Sequence, residues 1–375
     1  MTPELDFLLR CLRPRHPGTP ASSPASPPLD WPAFLRLAEY HGVRPLVHQA
    51  LAETAPPELT QFFRAHTINT LVLTAELLRI LRLLDAQGIR AVPLKGPALA
   101  QSLYGDLALR EFCDLDLLVQ EGDLRKAREL LETRGYHLDF PLDPRDEAAY
   151  VRNEQHFHLR HPAKDIVIEL HWRFAPRWFA FPLAPAQVWP RLQPMHLAGR
   201  EVPSFCPEHL FLFLAAHGAK HQWGALKWLC DLAQFIHQHP RLDWEWLVDQ
   251  ARRSHALRVL LLGIHLAAQL GAAVPPELKE QARRDPKVQT LAAGVWRDIR
   301  NPGEFTILGA CLWDLKAQER WRDRLLYCLV ALTRPTVTDQ AFLPLPRSLS
   351  FLHLLTRPVR ILWQRILKRP GDTPG

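Results

Sequence analysis

Two aspartates one residue apart, Asp114 and Asp116, lie in the run Arg110-Glu-Phe-Cys-Asp114-Leu-Asp116-Leu-Leu-Val119. On a β-strand the side chains alternate, so Asp114, Asp116 and Leu118 share one face while Leu115, Leu117 and Val119 share the other. Both carboxylates then point the same way from backbones roughly 6.5 Å apart. That is close enough to bind one hard cation or bridge two. A solvated strand edge carrying two acids is the alternative.

Upstream, Val92-Pro-Leu-Lys95-Gly96-Pro97 sets a glycine and a helix-opening proline directly after a strand-like burst. Such a turn offers unpaired backbone N–H groups and the positive end of a helix dipole to an anion. Lys95 adds a point charge for phosphate. The competing reading is a simple strand-to-helix turn. Downstream, Ile166-Val-Ile-Glu169-Leu-His171-Trp172-Arg173 puts Val167, Glu169 and His171 on one strand face, opposite Ile166, Ile168 and Leu170. An acid in such an apolar strand is costly without a partner. A metal held by Asp114 and Asp116 would provide one. Glu169 would then help hold the ion that activates an attacking hydroxyl, or act as its base; a strand with one exposed polar face is the alternative.

His217-Gly-Ala-Lys220-His221 places two histidines at i, i+4 on a helix, a spacing able to hold a metal. Gly218 stands where a zinc protease would carry its glutamate, so that chemistry is excluded. The helix is read either as closing a cleft, with Lys220 or His221 facing a nucleotide and Asp231 pairing with a basic neighbour, or as purely structural.

These residues need elements to position them. The pattern predicts strands over Ala91–Leu94, Leu115–Val119, Tyr136–Phe140, His156–His161 and Ile166–Trp172, with helices over Pro97–Tyr104 and Asp123–Gly135. Helical periodicity fills 31–84 and resumes beyond about Phe205, with breaks at His239-Pro240, Pro275-Pro276 and around Pro335 to Pro346. A Pro- and Ser-rich stretch at about 14–28 cannot bury enough apolar surface to order and is expected to be a disordered loop.

The chain has 375 residues, 47% hydrophobic, with a formal net charge of +7, so it can bury a sizeable core and favours anionic partners. Six scattered cysteines without a CxxC pair indicate neither a disulfide framework nor a zinc ribbon and fit a reducing cytoplasm. The N-terminus does not read as a secretory signal, and the apolar runs at 259–274 and 325–332 are too short or interrupted to span a bilayer. The basic stretch 358–370 reads as an amphipathic helix, with membrane-surface binding as the alternative. Nothing here sets an oligomeric state.

Taken together, Leu94-Lys-Gly96-Pro-Ala-Leu, Tyr104-Gly-Asp, Arg110, Asp114-Leu-Asp-Leu-Leu-Val119, Gly135-Tyr136, Glu169-Leu-His-Trp172 and His217 through Asp231 resemble an uncharacterised bacterial nucleotidyltransferase family of the polymerase-β-like superfamily. The resemblance covers about Leu84 to Phe235. It implies an α+β fold in which a small mixed-sheet polymerase-β-like nucleotidyltransferase domain (85–204) is flanked by a helical N-terminal region (1–84) and a helical C-terminal domain (205–375). It makes Asp114, Asp116 and Glu169 the catalytic, metal-binding acids for two Mg²⁺ ions. Lys95 and Gly96 become the phosphate loop, with Arg110, His171, Lys220 and His221 also on the nucleotide side. The implied reaction moves a nucleoside monophosphate from an NTP, with ATP expected, to a hydroxyl of a small molecule, protein or RNA end. The chain departs from its relatives twice. Gly96-Pro97 replaces Gly-Ser or Gly-Gly, removing a hydroxyl and one backbone donor, and the third acid is Glu rather than Asp. A catalytically degenerate nucleotide- or partner-binding module is therefore the competing class. Nucleic-acid binding, suggested by charge and Trp content, has no recognition motif behind it.

Overall fold

Alternating apolar residues on three neighbouring strands organise the part of the chain that carries the acids. The computed structural model describes residues 2–14, 29–140, 142–303 and 307–333, with 343, 352 and 356 as isolated positions. The chain divides into two compact units, residues 1–319 and 320–375. The first opens with helices α1 (Pro3–Cys11), α2 (Trp31–Tyr40), α3 (Arg44–Leu51) and α4 (Pro57–Asp85). Next come β1 (Ala91–Pro93), α5 (Gly96–Tyr104), β2 (Asp114–Val119), α6 (Leu124–Glu132), β3 (His137–Leu138), α7 (Pro144–Asn153), β4 (His156–His161) and β5 (Ile166–His171). After α8 (Pro185–Val188), strands β6 (Gln193–Leu197) and β7 (Arg200–Ser204) form a hairpin. Helices α9 (Pro207–Lys220), α10 (Leu226–Gln238), α11 (Trp244–Arg253), α12 (Leu257–Gln269), α13 (Pro276–Arg284), α14 (Pro286–Arg300) and α15 (Ile307–Ala317) complete the first unit. In the second, the described helix is α16 (Trp321–Thr333). No described helix is long and apolar enough to cross a membrane.

The sheet has the order β1-β2-β5-β4-β3 and is mixed, with β2 and β5 parallel and the other pairs antiparallel. This is the α+β architecture expected from the sequence, with helical sequence before and after a small mixed sheet. On one sheet face, Leu115, Leu117, Ile168, Leu170, Phe157 and Leu159 pack against Leu77, Leu81 and Leu84 of α4 and Ala127 and Leu131 of α6. Burying an apolar side chain is worth about 1.5–3 kcal/mol, so this face fixes the strands' rotation and forces the alternate residues to the other side. A second core joins Leu5, Phe34 and Val47 of the first helices to Phe211, Leu232 and Leu262 of α9, α10 and α12.

Most strands and helices fall within a residue or two of the predicted positions; the helix expected over Asp123–Gly135 ends three residues early, at Glu132, and other differences are larger. The strand expected over Tyr136–Phe140 shrinks to His137–Leu138, because β3 is an edge that pairs with β4 alone. The sequence pattern predicts neither α7, the short α8 nor the β6–β7 hairpin. Helix α7 is started by the Asp143 side chain, which accepts from Arg145 N–H. The β6–β7 hairpin turns at Ala198-Gly199, both with positive φ (47° and 77°), as a two-residue turn matching strand twist requires. Apart from Pro14 and Leu343, the expected loop at 14–28, the break around 335–346 and the basic stretch 358–370 lie outside the described residues.

Candidate active site

The parallel register of β2 and β5 sets Asp116 beside Glu169 and Asp114 beside Val167. Asp114, Asp116 and Glu169 thereby share the sheet face away from α4 and α6, and one ligand oxygen from each lies within 4.8 Å of the others. Strand β2 is not an edge, since β1 and β5 flank it. Asp116 is 2% exposed, while Asp114 and Glu169 are half-buried.

Polar neighbours treat the three acids differently. Lys95 Nζ lies 2.6 Å from Asp116 Oδ1, and His171 Nε2 lies 3.3 Å from the same oxygen. Burial alone would raise the Asp116 pKa, but the Lys95 charge and the His171 bond outweigh it and hold the carboxyl well below its usual range. Its Oδ2 is buried with no hydrogen-bond partner among the described residues. Asp114 is shifted upward, first by burial and then by the Asp116 charge. Glu169 Oε2 accepts from His171 Nε2 at 3.0 Å, which against the effect of burial lowers the Glu169 pKa. His171 Nδ1 donates to the Arg173 carbonyl at 3.2 Å, fixing the ring.

Lys95 follows β1 and stands at the N-cap position of α5. Gly96 has φ +59°, a conformation that disfavours any side chain, and a Cβ there would sit 3.5 Å from the Asp114 carbonyl. No side chain caps the α5 N-terminus. The Lys95 ammonium is thus committed to Asp116 in the protein alone. Burial would lower its pKa, but Asp116, Asp114 and Glu169 together raise it.

Facing the sheet across a cleft of about 420 Å³ is the C-terminal end of α9, which carries His217, Lys220 and His221. After α9, Gln222 and Trp223 both take positive φ (55° and 54°), and Trp223 folds back with its N–H donating to the Gly218 carbonyl at 2.8 Å. A Cβ on Gly218 would meet the Trp223 ring at 2.4 Å, so this close approach, and no zinc chemistry, explains the glycine. Burial and the nearby Lys95 charge pull the Lys220 pKa down to about 8. Burial and Lys220 push His221 down to about 3, and its ring stacks on Trp228 at 4.8 Å. His217 stacks on Phe213 and is also held neutral, chiefly by burial. Among the described residues, the groups able to hold a metal are Asp114, Asp116 and Glu169, and His156, Glu169 and His171; the i, i+4 histidine pair belongs to neither.

Arg110 lines the cleft, but its guanidinium is 6% exposed and its Nε donates to Asp231 Oδ2 at 3.0 Å, while Tyr104 Oη donates to Oδ1 at 3.0 Å. Arg110 is the basic neighbour expected for Asp231. The pair ties the loop before β2 to α10. His156, Lys227, Trp178 and Trp228 also line the cleft and were not singled out by sequence reasoning. Strict alternation in His156-Phe-His158-Leu could have flagged His156; the tryptophans carry no local signal.

No curated protein matches the chain. Among solved structures, the solution structure of the antibiotic-resistance factor ANT(2'')-Ia matches at 16% identity, covering 60% of this chain and 92% of its own, with a TM-score of 0.29. The sequence pattern of a family described as uncharacterised nucleotidyltransferases matches residues 27–272, more than half of the chain and all of the acid-bearing sheet. The chain therefore belongs to that nucleotidyltransferase family.

Proposed function

We propose that the chain is a magnesium-dependent nucleotidyltransferase that moves a nucleoside monophosphate from a nucleoside triphosphate, ATP by expectation, to an acceptor hydroxyl. The observation that carries this reading is the convergence of Asp114, Asp116 and Glu169 within 4.8 Å beside a cation-lined cleft. The donor set fits the ion: three hard carboxylates suit Mg²⁺, whereas zinc would call for His or Cys. The orphaned, buried Asp116 Oδ2 is an acceptor that a cation would satisfy. When bound, Mg²⁺ neutralises triphosphate charge and helps align the attack. In this reading residues 85–204 form the catalytic domain, with helical regions at 1–84 and 205–375.

The remaining chemistry falls to the protein's own groups. The acceptor oxygen bonds to the α-phosphorus as the bond from that phosphorus to the bridging oxygen breaks, and pyrophosphate leaves. Asp114, Asp116 and Glu169 would hold the cation, and a carboxylate of this cluster would accept the hydroxyl proton. Lys220 and His221 line the cleft together with Lys95 and would meet phosphate there, and a role for the Gly96 backbone in the phosphate loop rests on the resemblance. Lys95 holds Asp116 in place, and Arg110 fixes the loop that leads into β2.

A second reading, a catalytically degenerate nucleotide- or partner-binding module, has one observation in its favour. The Lys95 ammonium puts a fixed positive charge on Asp116, and Pro97 removes one backbone donor for phosphate. Incubation of the full chain with labelled NTPs, Mg²⁺ and a cell extract as acceptor source separates the two. Label transfer with pyrophosphate release, lost in Asp114→Ala/Asp116→Ala, is expected for the transferase. Nucleotide binding without turnover would favour the second reading, and turnover surviving the double substitution would contradict the first.

A further inference from the structure

We propose that His156, Glu169 and His171 form a mixed nitrogen and oxygen cation subsite that takes a transition-metal dication such as Zn²⁺, Mn²⁺ or Co²⁺ in preference to Mg²⁺. It deepens the reading above by sharing Glu169 with the acid cluster, but stands on separate donors.

The antiparallel register of β4 and β5 puts His156 directly opposite His171, with ring centroids 4.8 Å apart, and alternation puts Glu169 on the same face two residues along. The Glu169 carboxylate stands between the two rings. Its Oε2 is 3.0 Å from His171 Nε2 and its Oε1 is 3.8 Å from His156 Nε2. One ligand atom from each of the three residues lies within 4.8 Å of the others.

Two further details point to a ligand. His171 Nδ1 contacts the Arg173 carbonyl, an oxygen that can only accept, so Nδ1 carries a hydrogen, and Nε2, which donates to Glu169 in the protein alone, faces the cluster and would give up its hydrogen on binding a metal. A ring nitrogen fixed from behind by a backbone carbonyl is the arrangement that orients metal-bound histidines. His156 turns Nε2 toward Glu169 at 3.8 Å, while its other ring nitrogen, Nδ1, is buried with no hydrogen-bond partner among the described residues, so no hydrogen bond at Nδ1 sets the tautomer against ligation through Nε2. Two imidazoles and a carboxylate favour borderline transition metals, whereas Mg²⁺ prefers oxygen alone.

The test is Co²⁺ binding to the chelator-stripped full chain with no nucleotide present, read by visible d–d absorption. One Co²⁺ is expected to bind, to be displaced by Zn²⁺, and to resist Mg²⁺ at about 100-fold excess. His156→Ala and His156→Gln should each weaken Zn²⁺ by about 100-fold, at or beyond the loss typical of an outer-sphere partner. Asp114→Asn should leave the Co²⁺ spectrum intact. Electron spin-echo modulation of Mn²⁺ bound to the unsubstituted chain, which detects imidazole nitrogen, needs no variant to fold. A histidine that merely donates to Glu169 and Asp116 would bind no Co²⁺ and show no nitrogen modulation, overturning the proposal. So would His156→Gln with unchanged affinity, or loss of the spectrum in Asp114→Asn alone. Because no nucleotide enters the experiment, failure here leaves the transferase reading standing, and failure of turnover leaves this subsite standing.

Discussion

The two walls of the cleft are built by different means. The acidic wall is placed by periodicity: β2 and β5 run side by side, one face locked into the core by Leu115, Leu117, Ile168 and Leu170, and Asp114, Asp116 and Glu169 follow on the other. The basic wall is placed by one tight turn, where Gln222 and Trp223 adopt left-handed backbone and Trp223 folds onto Gly218 beneath Lys220 and His221. A repeating backbone pattern spreads its positional information over many residues, whereas a turn concentrates it in two or three. Substitutions should therefore separate the walls.

The largest effect is expected at Asp116. Asp116→Ala should lower nucleotidyl transfer by about 1000-fold or more, about 4 kcal/mol of transition-state stabilisation. It should also cost about 3 kcal/mol of stability, because Lys95 is left mostly buried without its partner. Asp114→Asn should lose activity comparably yet raise the melting temperature. The Asp114 pKa is raised in the folded protein, so its ionised form opposes folding at neutral pH. Urea unfolding and turnover measured side by side check both, and equal destabilisation by the two substitutions would undo the distinction.

Leu117→Ala attacks the acidic wall from behind and should cost about 2–5 kcal/mol in urea unfolding, as cavity formation in a core does. On the basic wall, Gly218→Ala should cost about 1–3 kcal/mol by overpacking against Trp223. It should raise the KM for nucleotide more than it lowers kcat, since Lys220 moves and the acids do not. Trp223→Leu in the same chain should recover part of the lost stability.

The smallest effect is one of pH. Lys220, with its pKa depressed to about 8, is charged below that value and neutral above it. Nucleotide affinity should be level below pH 8 and fall above it by at most about tenfold per pH unit, the limit for one proton. Lys220→Arg should move the falling limb out of the measured range, because guanidinium stays charged. An unchanged limb in that variant would assign it to another group.

The acidic wall was legible in the sequence because period-two alternation is local: residues 114–119 and 166–171 announce both their strands and which side chains face together. Its finer wiring was not legible. Nothing in the separation of Lys95 from Asp116 tells that they meet at 2.6 Å, since the β1–β2 pairing that brings them together is a tertiary fact. The same holds for His156 reaching Glu169 across β4 and β5. The basic wall was half legible. Helical spacing grouped His217, Lys220 and His221, and Asp231 was rightly read as needing a basic partner, but the reason for Gly218 lies in a backbone reversal with no composition signal. The β6–β7 hairpin had a readable cue in Ala198-Gly199, flanked by strands too polar to alternate clearly.

The claim that the three acids hold Mg²⁺ for nucleotide chemistry is tested most directly by calorimetric titration of a non-hydrolysable ATP analogue into the full chain, with Mg²⁺ or with chelator, for the unsubstituted protein and Asp114→Asn. Binding that requires Mg²⁺ and is lost in Asp114→Asn is the result expected. Equal affinity in chelator, or unaltered Mg²⁺-dependent binding in Asp114→Asn, would contradict it.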